Sequence, residues 1–280
     1  MSAPDPTRPI AVFDSGVGGL TVLHECLVSL PHEDFVYLGD TARFPYGERS
    51  PEELVAFSLE LAELLLAEGA KLLLVACSSA TSAALPALRE SFAGRLPVVG
   101  MVEHESRRAA QLSRNGRIGV LATPATIASG AYERALATAA PDAAVTPVAC
   151  PELAPFIQSG AEADERLVSL VDGYCEELLR AGVDTVIYGC THYPPVRPVL
   201  QRALGRGVRL VSYEAVADEV ERTLAAAGTA RPAGRRGSYR FLCSGDPDEF
   251  RRRGTRFLQL PIGDVRHVEV AGAGRARSAA

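Results

Sequence analysis

Two cysteines, Cys77 and Cys190, carry the chemistry that this sequence is best equipped to perform. Each closes a short apolar run, LLLVA before Cys77 and TVIYG before Cys190. Each is followed by hydroxyl residues, Ser78 and Ser79 in one place and Thr191, with His192 next, in the other. Inverting configuration at a carbon means taking a proton from one face and delivering one to the other, a task for two acid/base groups on opposite sides. A free thiol titrates near about pH 8.5, lower at a helix N-terminus or beside a cation, so one sulfur as thiolate and the other as thiol is expected near neutrality. His192 stands where it can exchange a proton with Cys190, and Asp14 is the corresponding assistant for Cys77. A lone cysteine is more often a packing residue; the paired arrangement with Asp and His neighbours favours chemistry.

The segment Asp14-Ser15-Gly16-Val17-Gly18-Gly19 follows another apolar run. Its glycines either leave N–H groups open as a seat for an anion at a helix start or simply make a tight turn. Their spacing fits neither the dinucleotide nor the P-loop pattern. Asp14 weighs toward a site, because a carboxylate at a strand end is costly to bury unpaired. Glu152, in Cys150-Pro151-Glu152, either helps hold an ammonium group or sits on a solvent-exposed loop. His24 and His32 flank a helix near the surface. His104 and His267 lack partners at metal-ligand spacing, so no metal is expected. Without any C-x-x-C pair the six cysteines read as reduced thiols, with Cys26 and Cys175 as packing residues. Lys71 is the only lysine and starts its strand, about 20 Å from the far end at about 3.3 Å per residue; a lysine-linked pyridoxal phosphate would sit at the wrong end for α/β chemistry.

The elements that must position these residues alternate between short β-branched or Leu-rich runs and helix-like stretches, the signature of parallel-sheet α/β units. Strands are expected at Ile10–Phe13, Phe35–Gly39, Lys71–Ala76 and Leu96–Gly100, then at Arg117–Leu121, Val145–Ala149, Asp184–Gly189 and Val208–Val211. Helices are expected at Glu52–Ala67, Ala83–Phe92, Ala163–Arg180 and Tyr213–Ala227. Corresponding turns, Ser15 with Thr123, Asp40 with Cys150 and Cys77 with Cys190, recur about 110 residues apart, as in a duplicated unit. In such folds ligands bind beyond the carboxyl ends of the strands, where these residues lie.

The 280 residues suffice for one large or two ordinary domains. A formal charge of -5 and the lack of a basic block argue against a nucleic-acid or membrane partner and favour a small-molecule substrate. The first ten residues carry no apolar core of a secretory signal, and no run reaches membrane-spanning length, so a soluble cytoplasmic protein is expected.

At these residues the sequence resembles the bacterial glutamate racemases, from about Ile10 to about Phe257. The motifs that carry the likeness are VFDSGVGGLTVL, YLGDTARFPYG, LLVACSSATSA, GRIGVLATPATIASGAY, CPEL, GCTHYP and FLCSGDPDEF. The resemblance implies two similar parallel-sheet α/β domains related by pseudo-twofold symmetry, with the active site between them. Residues 1–101 plus 213–280 would form the first, 272–280 being a disordered tail, and 102–212 the second. It implies Cys77 and Cys190 as the catalytic pair. It places Asp14, Ser15, Tyr46, Gly47, Ser78, Ser79, Thr191 and His192 at substrate-contact positions. The implied activity is cofactor-independent interconversion of L- and D-glutamate for peptidoglycan and cell-wall biogenesis, and a homodimer is left open. Two departures stand out. Ser78 replaces the usual Asn, which should weaken the reaction by about 1–3 kcal/mol if one substrate hydrogen bond is lost. Glu103-His104-Glu105 stands where Pro and Gly usually follow the Glu, with consequences expected at a hinge or subunit contact. The alternatives are a racemase for a related amino acid such as aspartate, a binding or regulatory protein with impaired catalysis, and a thiol hydrolase.

Overall fold

The structure is a computed structural model, and it describes residues 5–160 and 164–272. Short, fully buried apolar runs make the central strands, as expected where a parallel sheet is covered on both faces. In chain order, β1 (Ile10–Asp14), α1 (Leu20–Ser29), β2 (Phe35–Gly39), α2 (Pro51–Ala67), β3 (Leu72–Val75), α3 (Ser78–Ser91) and β4 (Val98–Gly100) form the first half. The second contains α4 (Val102–Leu112), β5 (Arg117–Ala122), α5 (Pro124–Ala128), α6 (Ala131–Ala139), β6 (Ala144–Ala149), α7 (Leu153–Ser159), α8 (Glu165–Arg180), β7 (Thr185–Gly189), α9 (Arg197–Leu204) and β8 (Arg209–Val211). A one-turn helix at Tyr213–Ala215 then leads into α10 (Val216–Ala227), β9 (Tyr239–Cys243), α11 (Pro247–Leu258) and β10 (Val265–His267).

Two parallel sheets result, one in the order β10-β9-β2-β1-β3-β4 and the other β6-β5-β7-β8. The first four strands in the chain, β2-β1-β3-β4 in the first sheet, and all four of the second share one order: second, first, third, fourth. The duplication suggested by the turn spacing is thus a duplication of topology. The chain crosses between the sheets twice, from β4 into α4 and from β8 into the turn before α10. One apolar cluster runs through both halves, from Ile10 and Leu74 through Met101 to Leu121, Tyr188 and Leu200.

Local signals account for the elements. Ser50 and Glu53 form a reciprocal capping box ahead of α2, with Pro51 at its first position. Helix α8 buries Leu167, Val171, Cys175 and Leu178, a spacing of four, four and three that defines one face. Cys175 and Cys26 are core residues. Strand β6 lies at a sheet edge and so tolerates Pro147. Three expectations shift. Helix α3 starts at Ser78 rather than Ala83, because its first turn faces the site with hydroxyls instead of apolar side chains. Strands β9 and β10, short and half exposed, lack the apolar runs that mark the others. His24 lies inside α1, bonded to the Leu258 carbonyl at 2.7 Å. Ala163, and the expected tail beyond Gly272, lie outside the described residues.

Lys71 anchors the end of the first sheet opposite the site. Its buried ammonium donates to Glu33 at 2.5 Å and to the carbonyls of Pro6 and Thr229 at 2.9 and 2.8 Å. Glu33 also accepts the Arg231 N–H at 2.8 Å. Burial pulls the Lys71 pKa down, opposed chiefly by its bond to Glu33. A K71M substitution leaves the Glu33 carboxylate buried without its cation, and urea denaturation should show a loss of about 3–5 kcal/mol. A loss below about 1 kcal/mol would mean that the pair contributes little beyond packing.

Candidate active site

The residues that follow β1, β2 and β3 meet those that follow β5 and β7 across a small enclosed cavity. Ser15, Tyr46, Gly47, Cys77, Ser78 and Ser79 line it from the first sheet, and Thr123, Cys190, Thr191 and His192 from the second. Its volume is about 20 Å³, room for about one water. Cys77 and Cys190, which follow the equivalent strands β3 and β7, therefore belong to opposite walls of one cavity. They lie close enough that charge on Cys77 acts on Cys190.

Asp14 stands one layer behind this wall, fully buried. Its Oδ1 accepts the Gly16 N–H at 2.8 Å and its Oδ2 the Thr191 hydroxyl at 3.0 Å. The Gly19 N–H and the Ser15 hydroxyl lie near enough to favour its charged form, but burial prevails and raises its pKa. The loop amides read as a possible anion seat are thus turned on the chain's own carboxyl. The glycines are needed for space. A Cβ on Gly18 would come within 2.5 Å of the His192 ring, one on Gly16 within 2.5 Å of Gln158 Oε1, and one on Gly47 within 2.6 Å of Thr123.

The turn after β2 is organised by Asp40, which accepts from Arg43 Nε at 2.6 Å, from Ser244 Oγ at 2.6 Å and from the Tyr46 hydroxyl. Arg43 continues to Glu60 at 2.6 Å and lies over the Phe57 ring. This ion pair fixes Tyr46 and Gly47 in the cavity wall.

Cys77 is the N-cap of α3, its sulfur accepting the Ala80 N–H at 3.5 Å. Burial nevertheless pushes its pKa up to about 12, and Asp14 adds to the rise. Cys190 is also pushed up by burial, well beyond the ordinary thiol range. The mixed thiolate and thiol expected near neutrality is therefore not the state of the closed cavity; desolvation outweighs the helix terminus. Burial also pushes His192 down to about 3, so its ring is neutral. His192 Nε2 lies 2.7 Å from Gln158 Oε1, an acceptor, which places the ring proton on Nε2. Nδ1 is left as an acceptor 3.8 Å from Cys190 Sγ.

Ser79 Oγ lies 2.9 Å from Thr123 Oγ1 and 3.1 Å from Thr126 Oγ1, a hydroxyl cluster that joins the two halves. Ser78 lies near the Tyr132 hydroxyl, which donates to the Glu105 carboxylate. Glu152 is not brought into the cavity. It lies on the surface, paired with Arg166 at 3.2 Å with both side chains more than half exposed. Among the residues that the sequence reading missed, Thr123 occupies the repeat position equivalent to Ser15 and could have been found that way. Gln158, inside α7, and Tyr132, inside α6, carried no such signal. Among the described residues no cluster of three or more His, Cys, Asp or Glu side chains is placed to hold a metal ion. No described helix is long and apolar enough to cross a membrane.

Residues 21–219 match the family model described as Asp/Glu/Hydantoin racemase. A glutamate racemase of Geobacter metallireducens is 42% identical over 266 residues, covering 95% of this chain and 98% of that protein. The structure of a glutamate racemase from Thermus thermophilus in complex with beta-chloro-D-alanine aligns with a TM-score of 0.84 at 40% identity, over 95% of this chain and 98% of that one. That of Francisella tularensis glutamate racemase in complex with D-glutamate aligns with a TM-score of 0.87 at 29% identity, over 94% and 98%. With this coverage of both sheets and of the cavity between them, the chain belongs to the Asp/Glu/Hydantoin racemase family.

Proposed function

We propose that the chain interconverts L- and D-glutamate, one thiol removing the Cα proton and the opposite thiol returning one, without a cofactor. The observation that carries this reading is the placement of Cys77 and Cys190 after equivalent strands on opposed walls of one small enclosed cavity. The two-thiol arrangement matches the demand of inversion at carbon. A hydrolase would use one sulfur and leave the other without a role.

The catalytic groups in this reading are Cys77, Cys190 and His192, with Asp14 assisting Cys77; the exposed Glu152 takes no part in the closed form. Ser15, Ser79, Thr123 and Thr191 offer hydroxyls to the substrate carboxylates, and Asp14 supplies negative charge for its ammonium. Room for one water means that an amino acid enters only when the halves part. We place that division at residues 1–101 with 213–280 against 102–212. On closure the substrate ammonium brings positive charge beside the thiols, lowering pKa values that burial alone holds high. His192 Nδ1 then takes the proton of Cys190 before that sulfur attacks Cα–H, and returns it when Cys190 acts as acid. Hydroxyls held in place before the proton leaves stabilise the charge that develops on the carboxylate. The product D-glutamate would serve peptidoglycan synthesis in the cytoplasm, a setting in keeping with six free cysteines.

Circular dichroism of the amino acid should show turnover of glutamate in preference to aspartate; the reverse order would replace the substrate. C77A and C190A should each lower racemisation by at least about 10²–10⁴-fold. A C77A protein that works at the parent rate would end the two-thiol assignment. G18A should lower kcat at least about tenfold with an unchanged far-ultraviolet spectrum, since its methyl group displaces the His192 ring from Cys190. Parent-like turnover of G18A would remove His192 from the proton path.

A further inference from the structure

The first sheet has two strands with no counterpart in the second. β9 and β10, added as the chain returns from the second half, lie beyond β2, so β2 is an inner strand while its equivalent β6 is an edge. The register pairs Gly39 with Cys243, which sets the turn after β2 beside the turn after β9 at the carboxyl ends of both strands. Hydrogen bonds tie these turns together. The Ser244 N–H donates to the Gly39 carbonyl at 3.1 Å. The buried Ser244 hydroxyl accepts the Ala42 N–H at 3.0 Å and donates to Asp40 Oδ1 at 2.6 Å. The Gly245 N–H donates to Thr41 Oγ1 at 3.1 Å.

We propose that Ser244 is a positioning residue for substrate binding, its hydroxyl holding the turn at residues 40–47 in the shape that presents Tyr46 and Gly47 to the substrate. The two oxygens of Asp40 divide the contacts. Oδ1 accepts from Ser244, and Oδ2 from Arg43 Nε and the Tyr46 hydroxyl. Ser244 therefore fixes the plane of the carboxylate on which the Tyr46 phenol rests. Without its hydroxyl, Asp40 Oδ1 and the Ala42 N–H have no hydrogen-bond partner among the described residues, and a buried polar group in that condition turns toward other partners. Tyr46 would move with it.

The second half shows the same turn without such a neighbour. Cys150-Pro151-Glu152 follows the edge strand β6, and none of the three lines the cavity, whereas Phe44, Pro45, Tyr46 and Gly47 all do. The return of the chain to the first sheet thus has a consequence at the site. A stitch that served stability alone could lie anywhere, and the fold contains one of the same kind. The Ser113 hydroxyl donates to Asp184 Oδ1 at 2.7 Å and accepts the Gly116 N–H at 3.1 Å, at the end of the second sheet away from the cavity.

The substrate in this proposal rests on the racemase reading. Steady-state kinetics of S244A should show KM for glutamate raised about tenfold and kcat within about twofold of the parent. The turn re-forms on binding and stays formed through the proton transfers, and the thiols stand on other segments. G245A keeps the serine but sets a methyl group within 2.5 Å of Thr41 Oγ1, and should raise KM likewise. S113A should lower the melting temperature comparably to S244A and leave KM at the parent value. A parent-like KM in S244A, a loss confined to kcat, or an equal rise of KM in S113A would overturn the proposal. Should S244A not fold, G245A against S113A decides it. A parent that fails to interconvert glutamate would sink the racemase reading alone. Amide hydrogen exchange over residues 40–47 would still judge Ser244: faster exchange in S244A, with parent rates in S113A, supports its hold on the turn, and parent rates in S244A refute it.

Discussion

Asp14 is a carboxyl buried at the end of a central strand with no cation bonded to it among the described residues. Leaving such a group without donors is expensive, and much of the site follows from meeting that need. The loop after β1 curls so that Gly16 presents its N–H group to it. The absence of a side chain at Gly18 lets the segment after β7 approach, and Thr191 completes the set from the other sheet. The same approach brings Cys190 and His192 to the cavity. Satisfaction of one carboxyl and closure of the two halves are therefore a single event.

Closure also removes water, which leaves every titratable group beside the cavity in its neutral form or drawn toward it. Both thiols are raised, Asp14 is raised and His192 is lowered, in each case by burial first. A site in this state holds proton acceptors and donors but little net charge. The substrate is zwitterionic with a second carboxylate, so the charge that activates the sulfurs arrives with the molecule to be changed.

The inner strands were legible because each is a continuous apolar run with no competing periodicity, and the site because α/β folds collect chemistry at strand ends. Cys77, Cys190, Ser15 and Thr191 follow directly from that rule. What stayed hidden depends on distance in space alone. Gln158 fixes the His192 tautomer from the last turn of a helix, and Tyr132 reaches the Glu105 carboxylate from the first turn of another. Glu152 shows the opposite failure: it follows β6 just as Asp40 follows β2, yet β6 is an edge strand and its turn faces solvent. The thiol pKa expectation misled because a helix N-terminus is visible in sequence and the depth of burial is not.

The chain passes between the sheets at only two places, after β4 and after β8. Two strands of backbone side by side act as a spine. In the proposed opening the halves would swing about that line. The Asp14–Thr191, Thr21–Thr191, Ser79–Thr123 and Ser79–Thr126 hydrogen bonds are the clasp, and in the proposed opening they give way before anything larger than water leaves. In the proposed cycle, escape of the finished molecule would be tied to undoing the contacts that close the cavity, so unclasping would compete with the proton transfers for control of the overall rate.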